Sequence, residues 1–512
     1  MTTTLEELLN AAEQEFSQGR YAQAENLLSA AVIEAENDEE VDELTKAIVV
    51  DNLAEVYFEQ GKYDKAEPLY KKALRIRERV LSPQDEEVVG SLNNLSALYF
   101  HQGDWVEAES ICRKLIHIYS YALGDDNLQV GHCLNNLALI CKNQKKYQEA
   151  EKLFQESLIN LEKNLGMGHR DVGVGLTDLA DVYKEQSRWA DAEFLYSKAL
   201  TILETVLGPG NPELTPILQS MIDVLNEQGK YPDVEPYQKK LLELKEYNFT
   251  PTHPEVVTCL QNLANYYFLQ KNFDEAERLI KRLIASKERA YSAFHPEVAK
   301  SVTDLASIHQ AKGSFKTAEK YFKQALQVQD RTLPPDSEEL ATTIYRLALL
   351  YSSYGRLKEA EPHWRRLLKL KETLYGQDDA QVCESIYNLA LTTFKTDRHD
   401  ESDALWKRLR EIREKQGDEN SRDLAYAVHY LAELARLRGE VEKSEELFLK
   451  AIELKTKVFG GGHSEVAQSL ESYANLLATT YRDDAAEHMR SCAKAILRSA
   501  RLPQTNLSGP LG

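Results

Sequence analysis

Residues 92–109 read Leu92-Asn-Asn-Leu-Ser-Ala-Leu-Tyr-Phe-His-Gln-Gly103-Asp-Trp105-Val-Glu-Ala108-Glu109. After a step of 42 residues the same frame returns as Leu134-Asn-Asn-Leu-Ala-Leu-Ile-Cys-Lys-Asn-Gln-Lys-Lys-Tyr147-Gln-Glu-Ala150-Glu151. Its Asn-Leu-Ala core recurs at that interval through the chain. Asn52, Asn94, Asn136, Asp178, Asn262, Asp304, Arg346 and Asn388 open clear copies, and Asn10, Ser220, Tyr430 and Ser472 open degenerate ones. Twelve copies without insertion or deletion span nearly all 512 residues. A fixed period in this range is the signature of stacked supersecondary units, none of which can bury its apolar face alone.

Within one copy, Val88, Leu92, Leu95, Leu98 and Tyr99 stand at helical spacing. Gly103 interrupts them, and Val106, Ile111, Leu115, Ile118 and Ala122 resume the pattern as far as Gly124, expected to close the second helix in left-handed geometry. Each copy is therefore a helix-turn-helix. Turns are expected near 19, 61, 103, 145, 187, 229, 271, 313, 355, 397, 439 and 481, in one continuous array over 1–500. An aromatic column (Tyr21, Tyr63, Trp105, Tyr147) precedes a small-residue column (Ala24, Ala66, Ala108, Ala150) that lets two helices approach closely. The next column is acidic in every copy, from Glu25 to Glu487. It is expected in the first turn of the second helix, where the helix dipole favours a carboxylate. His169, His253, His295 and His463 share a column with Asp85, Asn127 and Asn211, which marks them as N-caps rather than metal ligands.

Composition narrows the function. With 82 acidic against 62 basic residues the net charge is −20, which argues against nucleic acid and anionic membranes as partners. The six cysteines form no Cys-x-x-Cys pair and read as reduced packing thiols. No signal peptide and no apolar run long enough to cross a bilayer are visible, so a cytoplasmic location is expected. Gly460-Gly-Gly-His463 stands in phase with the helix-closing glycines, and no nucleophile elbow, phosphate loop or zinc-binding helix motif accompanies it. No enzyme, cofactor or metal is expected. Leu502-Pro-Gln-Thr-Asn506 lacks the apolar span and basic tail of a sorting signal, and 502–512 reads as a disordered tail. The basic run Arg490, Lys494, Arg498 and Arg501 reads as a polar capping helix, with a small basic docking patch as the alternative.

The turn glycine, the aromatic and the small residue together resemble the tetratricopeptide repeat. The 42-residue period, with linkers such as Phe294-His-Pro-Glu-Val-Ala-Lys-Ser-Val-Thr-Asp-Leu-Ala306, is similar to the kinesin light chain form. The N-terminal heptad coiled coil of those proteins is not seen, since the repeats begin by about residue 5. The resemblance implies an all-α fold, an α-solenoid of about twelve tetratricopeptide-like repeats wound into a right-handed superhelix, and a non-enzymatic scaffold or adaptor holding peptide segments of partner proteins. A regulatory subunit bound to a separate enzyme, motor or transcription factor is the alternative, and a monomer is favoured.

The resemblance also implies that first helices line a concave face on which the peptide lies. The residues it places there are Asn52, Asn93, Asn94, Asn135, Asn136, Asn262, Asn265, Lys300, Arg346 and Asn388. An asparagine amide both donates and accepts, so a ladder of them can grip a peptide backbone without reading its sequence. Such an asparagine can equally tie one repeat to the next. Glu13, Glu55, Asp181 and Asp223 make the first units acidic, and a neutral or basic peptide is expected there rather than an acidic one.

Overall fold

The computed structural model describes residues 3–417 and 421–501. The tail 502–512 lies outside the described residues. Among them are 24 α-helices and two short 3-10 turns, Pro212–Leu214 and Ala380–Val382, with no strand. The chain divides into two compact units, Met1–Thr250 and Pro251–Gly512. Repeats 1–6 fall in the N-terminal unit and repeats 7–12 in the C-terminal unit.

Repeat 3 shows how the residues make a hairpin. Asp85 caps helix Glu86–Gln102 by accepting from the Glu87 N–H at 3.1 Å. Gly103 ends it at φ 77°, and the Asp104 N–H returns to the Tyr99 carbonyl at 2.9 Å, so left-handed backbone satisfies the last carbonyls. Helix Trp105–Leu123 follows. His169, His253, His295 and His463 are N-caps as expected, each Nδ1 accepting from the N–H two residues on.

The columns divide the packing between them. Ala24, Ala66, Ala108, Ala150 and Ala192 are fully buried where the two helices of a hairpin cross. Four residues further along the second helix is a large buried column: Tyr70, Phe154, Tyr196, Phe322, Trp364, Trp406 and Phe448, none more than 3% exposed. The small column lets the helices close, and this second column fills the space beneath. The aromatics beside the turn (Tyr63, Trp105, Tyr147) are only half-buried.

Two expectations are corrected. The acidic row sits at the fifth residue of each second helix, just past the first turn and its free N–H groups. Its carboxylates instead take cations from the next repeat: Glu25 from Lys62 at 2.8 Å, Glu109 from Lys146 at 2.9 Å, Glu193 from Lys230 at 2.6 Å and Glu445 from Arg482 at 2.8 Å. Lys146 and Arg113 together hold the Glu109 carboxyl down at about 2. In most repeats the row is thus an inter-repeat staple, whereas Glu67 pairs with Lys71 of its own helix. The closing glycines are not left-handed helical either. Gly124 adopts φ 87°, ψ 155°, and Gly166, Gly208, Gly376 and Gly460 match it closely, a region essentially restricted to glycine.

A second ionic column is buried. Arg77 reaches Asp51 at 3.0 Å and Glu87 at 3.2 Å, Lys287 reaches Glu297 at 2.9 Å, and Lys455 reaches Glu465 at 3.1 Å. In these three repeats a cation near the end of one second helix meets the carboxylate two residues past the next N-cap.

Candidate functional site

First helices present the Asn column on one face, and the predicted residues there fall into two groups. In the first, the side chain has a polar partner within the chain. Asn135 Nδ2 donates across a repeat boundary to Asp178 at 3.4 Å. Asn388 donates to the Glu384 carbonyl of its own helix at 2.9 Å. Arg346 is held by Asp304 at 3.2 Å and by the Ser307 hydroxyl at 2.8 Å. Asn265 accepts from Gln261 at 3.1 Å. Lys300 is exposed, with Nζ 3.9 Å from Glu339.

The second group is open. Asn93, Asn136 and Asn262 are exposed, and Asn52 and Asn94 half-buried. Asn93 and Asn136 line a cleft of about 350 Å³ between repeats 3 and 4, together with Ser96, Ala97, Phe100 and Leu139. A cleft of about 480 Å³ spans repeats 7–9 of the C-terminal unit, with Asn265 and Arg346 beside Phe268 and Leu349. The structure thus brings Asn93 and Asn136 to one cleft, and Asn265 and Arg346 to another. Asn52, Asn94, Asn135, Asn262, Lys300 and Asn388 line neither.

Sequence reasoning missed the cleft floors. Ala97 and Leu139 stand three residues after the Asn position, where other repeats carry acids, and that departure from the column is the available signal. It also missed a second acidic position one helical turn beyond the first, at Glu59, Glu185 and Glu227.

Electrostatics separate the two units. Residues 1–250 hold 44 acidic and 24 basic side chains, whereas residues 251–512 hold 38 of each. The whole net charge belongs to the N-terminal unit. Burial raises the Asp178 carboxyl to about 6 despite Lys142 and Asn135 nearby. Burial, then Asp51 and Glu59, raise that of Glu55. Burial also raises Asp304, with Arg346 opposing it.

Other chemistry finds little support. Cys112, Cys133, Cys141 and Cys383 are buried thiols, and burial pushes Cys133 up to about 12, far from a reactive thiolate. Among the described residues no group of three or more His, Cys, Asp or Glu is placed to hold a metal ion, and no helix is long and apolar enough to cross a membrane.

The tetratricopeptide repeat family model matches residues 4–79, 87–163 and 134–205, and that of the MalT-like tetratricopeptide region matches residues 250–457. The chain belongs to the tetratricopeptide repeat family. Tetratricopeptide arrays serve in general as protein-interaction scaffolds, typically without catalysis of their own. No curated protein matches the sequence. Among solved structures, the nearly identical TPR-like repeats of a Podosopora anserina protein described as a kinesin light chain are 19% identical. They cover 40% of this chain and 97% of that one, with a TM-score of 0.35. BtubC (BKLC) of P. vanneervenii is also 19% identical over 47% of this chain and 97% of its own, at a TM-score of 0.37. The apo form of RapI is 16% identical over 56% and 98%, at 0.37.

Proposed function

We propose that this tetratricopeptide repeat protein is an adaptor that holds extended peptide segments of partner proteins along its first helices. The carrying observation is the cleft between repeats 3 and 4: an apolar floor rimmed by the Asn93 and Asn136 amides. A small apolar cleft with a few polar groups at its edge suits a peptide side chain in the floor and its backbone on the amides. Asn94 is half-buried and lies outside the cleft lining. Asn135 belongs to the scaffold, since it is committed to Asp178.

The test is a crosslinked pull-down comparing the wild-type chain with Asn93→Ala plus Asn136→Ala. Far-UV circular dichroism and Tm establish that both are folded. The adaptor reading expects loss of at least about tenfold in captured partner, roughly the loss of one or two hydrogen bonds to a peptide backbone. Undiminished capture by the folded double variant would sink it. A set of partners sharing a short motif supports an adaptor, whereas one stoichiometric partner points to a dedicated regulatory subunit.

A further inference from the structure

The first helices of the N-terminal unit carry acids at two positions one helical turn apart. Repeat 2 has Glu55 and Glu59, and repeat 6 has Asp223 and Glu227, all four exposed. Between them, repeats 3 and 4 replace the inner acid with Ala97 and Leu139, which line the cleft. In the C-terminal unit the same two columns hold a single acid, Glu433, and Arg436 engages it at 2.8 Å.

These face acids differ from the acids elsewhere in the repeat. The stapling row and the buried column meet lysine or arginine in many repeats. Glu55, Glu59, Asp223 and Glu227 meet no cation within ion-pair distance among the described residues. Repeat 5 is mixed: Asp181 is paired with Lys142 at 3.1 Å, Glu185 accepts from the Tyr147 hydroxyl at 3.4 Å, and Lys184 donates to Ser220 at 3.3 Å. The face is therefore apolar at its centre, locally balanced at repeat 5, and unbalanced acidic at repeats 2 and 6.

We propose that this face takes a basic segment, with one large apolar side chain seated between repeats 3 and 4 and lysine or arginine on both sides of it. The proposal rests on the reading of the first-helix face as a peptide site and names the partner's chemistry. Charge complementarity selects that occupant: the unit holds the chain's entire excess of acid, and open acids stand on either side of the apolar-floored cleft between repeats 3 and 4. An acidic segment would bring like charge against repeats 2 and 6. A wholly apolar one would leave those carboxylates facing a low-dielectric ligand.

The experiment is fluorescence anisotropy on the full chain at near-physiological salt. The probe is a labelled peptide of about twelve residues with a central leucine, two lysines before it and two arginines after it, and serine and glycine elsewhere. Two controls replace the cations with glutamate or the leucine with serine. The basic peptide is expected to bind at least about tenfold tighter than either control. Glu55→Lys plus Glu59→Lys, and separately Asp223→Lys plus Glu227→Lys, should each weaken it by about tenfold, with Glu→Gln and Asp→Asn versions giving a smaller loss in the same direction. Equal binding of the acidic peptide, or basic-peptide binding indifferent to both double variants, overturns the proposal. The underlying reading is separable. If acidic or neutral peptides bind and lose affinity in Asn93→Ala plus Asn136→Ala, the face is a peptide site and only the basic assignment fails. If no peptide responds to the asparagine substitutions, both fail.

Discussion

At the scale of single residues, backbone geometry is held more strictly than residue identity. All twelve turn positions adopt positive φ, including the five that lack glycine: Lys145, Ser187, Lys271, Asp397 and Tyr481, between 57° and 61°. The period makes these turns legible in the sequence, but not their strain, because a column shows where glycine is missing and not whether the backbone yields. A side chain in left-handed geometry costs about 1–2 kcal/mol, and glycine returns about 0.5–1 kcal/mol of that as unfolded-state entropy. Lys145→Gly is therefore expected to stabilise by about 0.5–1 kcal/mol in urea titration. Gly124→Ala should do the reverse and cost about 1–3 kcal/mol, because its φ 87°, ψ 155° is nearly closed to other residues. Nothing lies within 4 Å of a β-carbon built there, so the whole cost is conformational. A neutral Gly124→Ala would show that the helix exit can relax. His429 is the residue no column announces. It is 2% exposed, with Nδ1 3.0 Å from the Ser469 hydroxyl, and burial, helped by Lys455, lowers its pKa to about 3. The unfolded chain binds its proton more readily, so this stabilisation is full above the ordinary histidine range and is lost as pH falls from about 6.5 towards 3. Between pH 7 and 5 the loss should be about 2 kcal/mol. Hydrogen exchange in helix Arg422–Leu437 checks it, since His429→Leu should flatten the pH dependence.

At the scale of elements, the hairpin was legible because both its helices and its turn obey one period. The contacts between hairpins were not. A periodic pattern reports which residues are alike, and a staple joins unlike residues in successive repeats, such as Glu25 to Lys62. The same holds at the candidate site. The sequence places Asn94, Asn135 and Asn136 on one face, but only the packing shows that Asn135 is committed to Asp178 while Asn136 rims a cleft. The two ionic columns should respond differently to substitution. Staple pairs are half-exposed, and individually such pairs contribute little. The Lys455 side chain is fully buried and has Glu465 as its carboxylate partner, so removing that partner strands a charge in the core. Glu465→Ala is expected to cost on the order of 3 kcal/mol in urea titration, while Lys62→Ala should be barely detectable. Equal effects would mean that the buried lysine finds water or another acceptor.

At the scale of the whole chain, the uneven charge makes its own prediction. Self-repulsion in a strongly charged body opposes compaction and is screened by salt, with a Debye length of about 8 Å at physiological ionic strength. The N-terminal unit carries 44 acids against 24 bases, and the C-terminal unit is balanced. Staple pairs occur in both, for example Glu193 with Lys230 and Glu361 with Arg398, so salt weakens that term in each alike. What differs between the units is the net repulsion. Raising salt from about 20 to about 300 mM should therefore raise amide hydrogen-exchange protection in residues 3–250 relative to residues 251–501. Lowering pH from 7 towards 6 should act in the same direction near Asp178, whose raised carboxyl makes the folded chain the better proton acceptor. A bound basic peptide would supply the missing cations directly, so it should reproduce the salt effect in the N-terminal unit at low ionic strength and leave the C-terminal unit unchanged. Equal gains in both units would mean that the acidic excess is balanced locally in ways the ion pairs do not reveal.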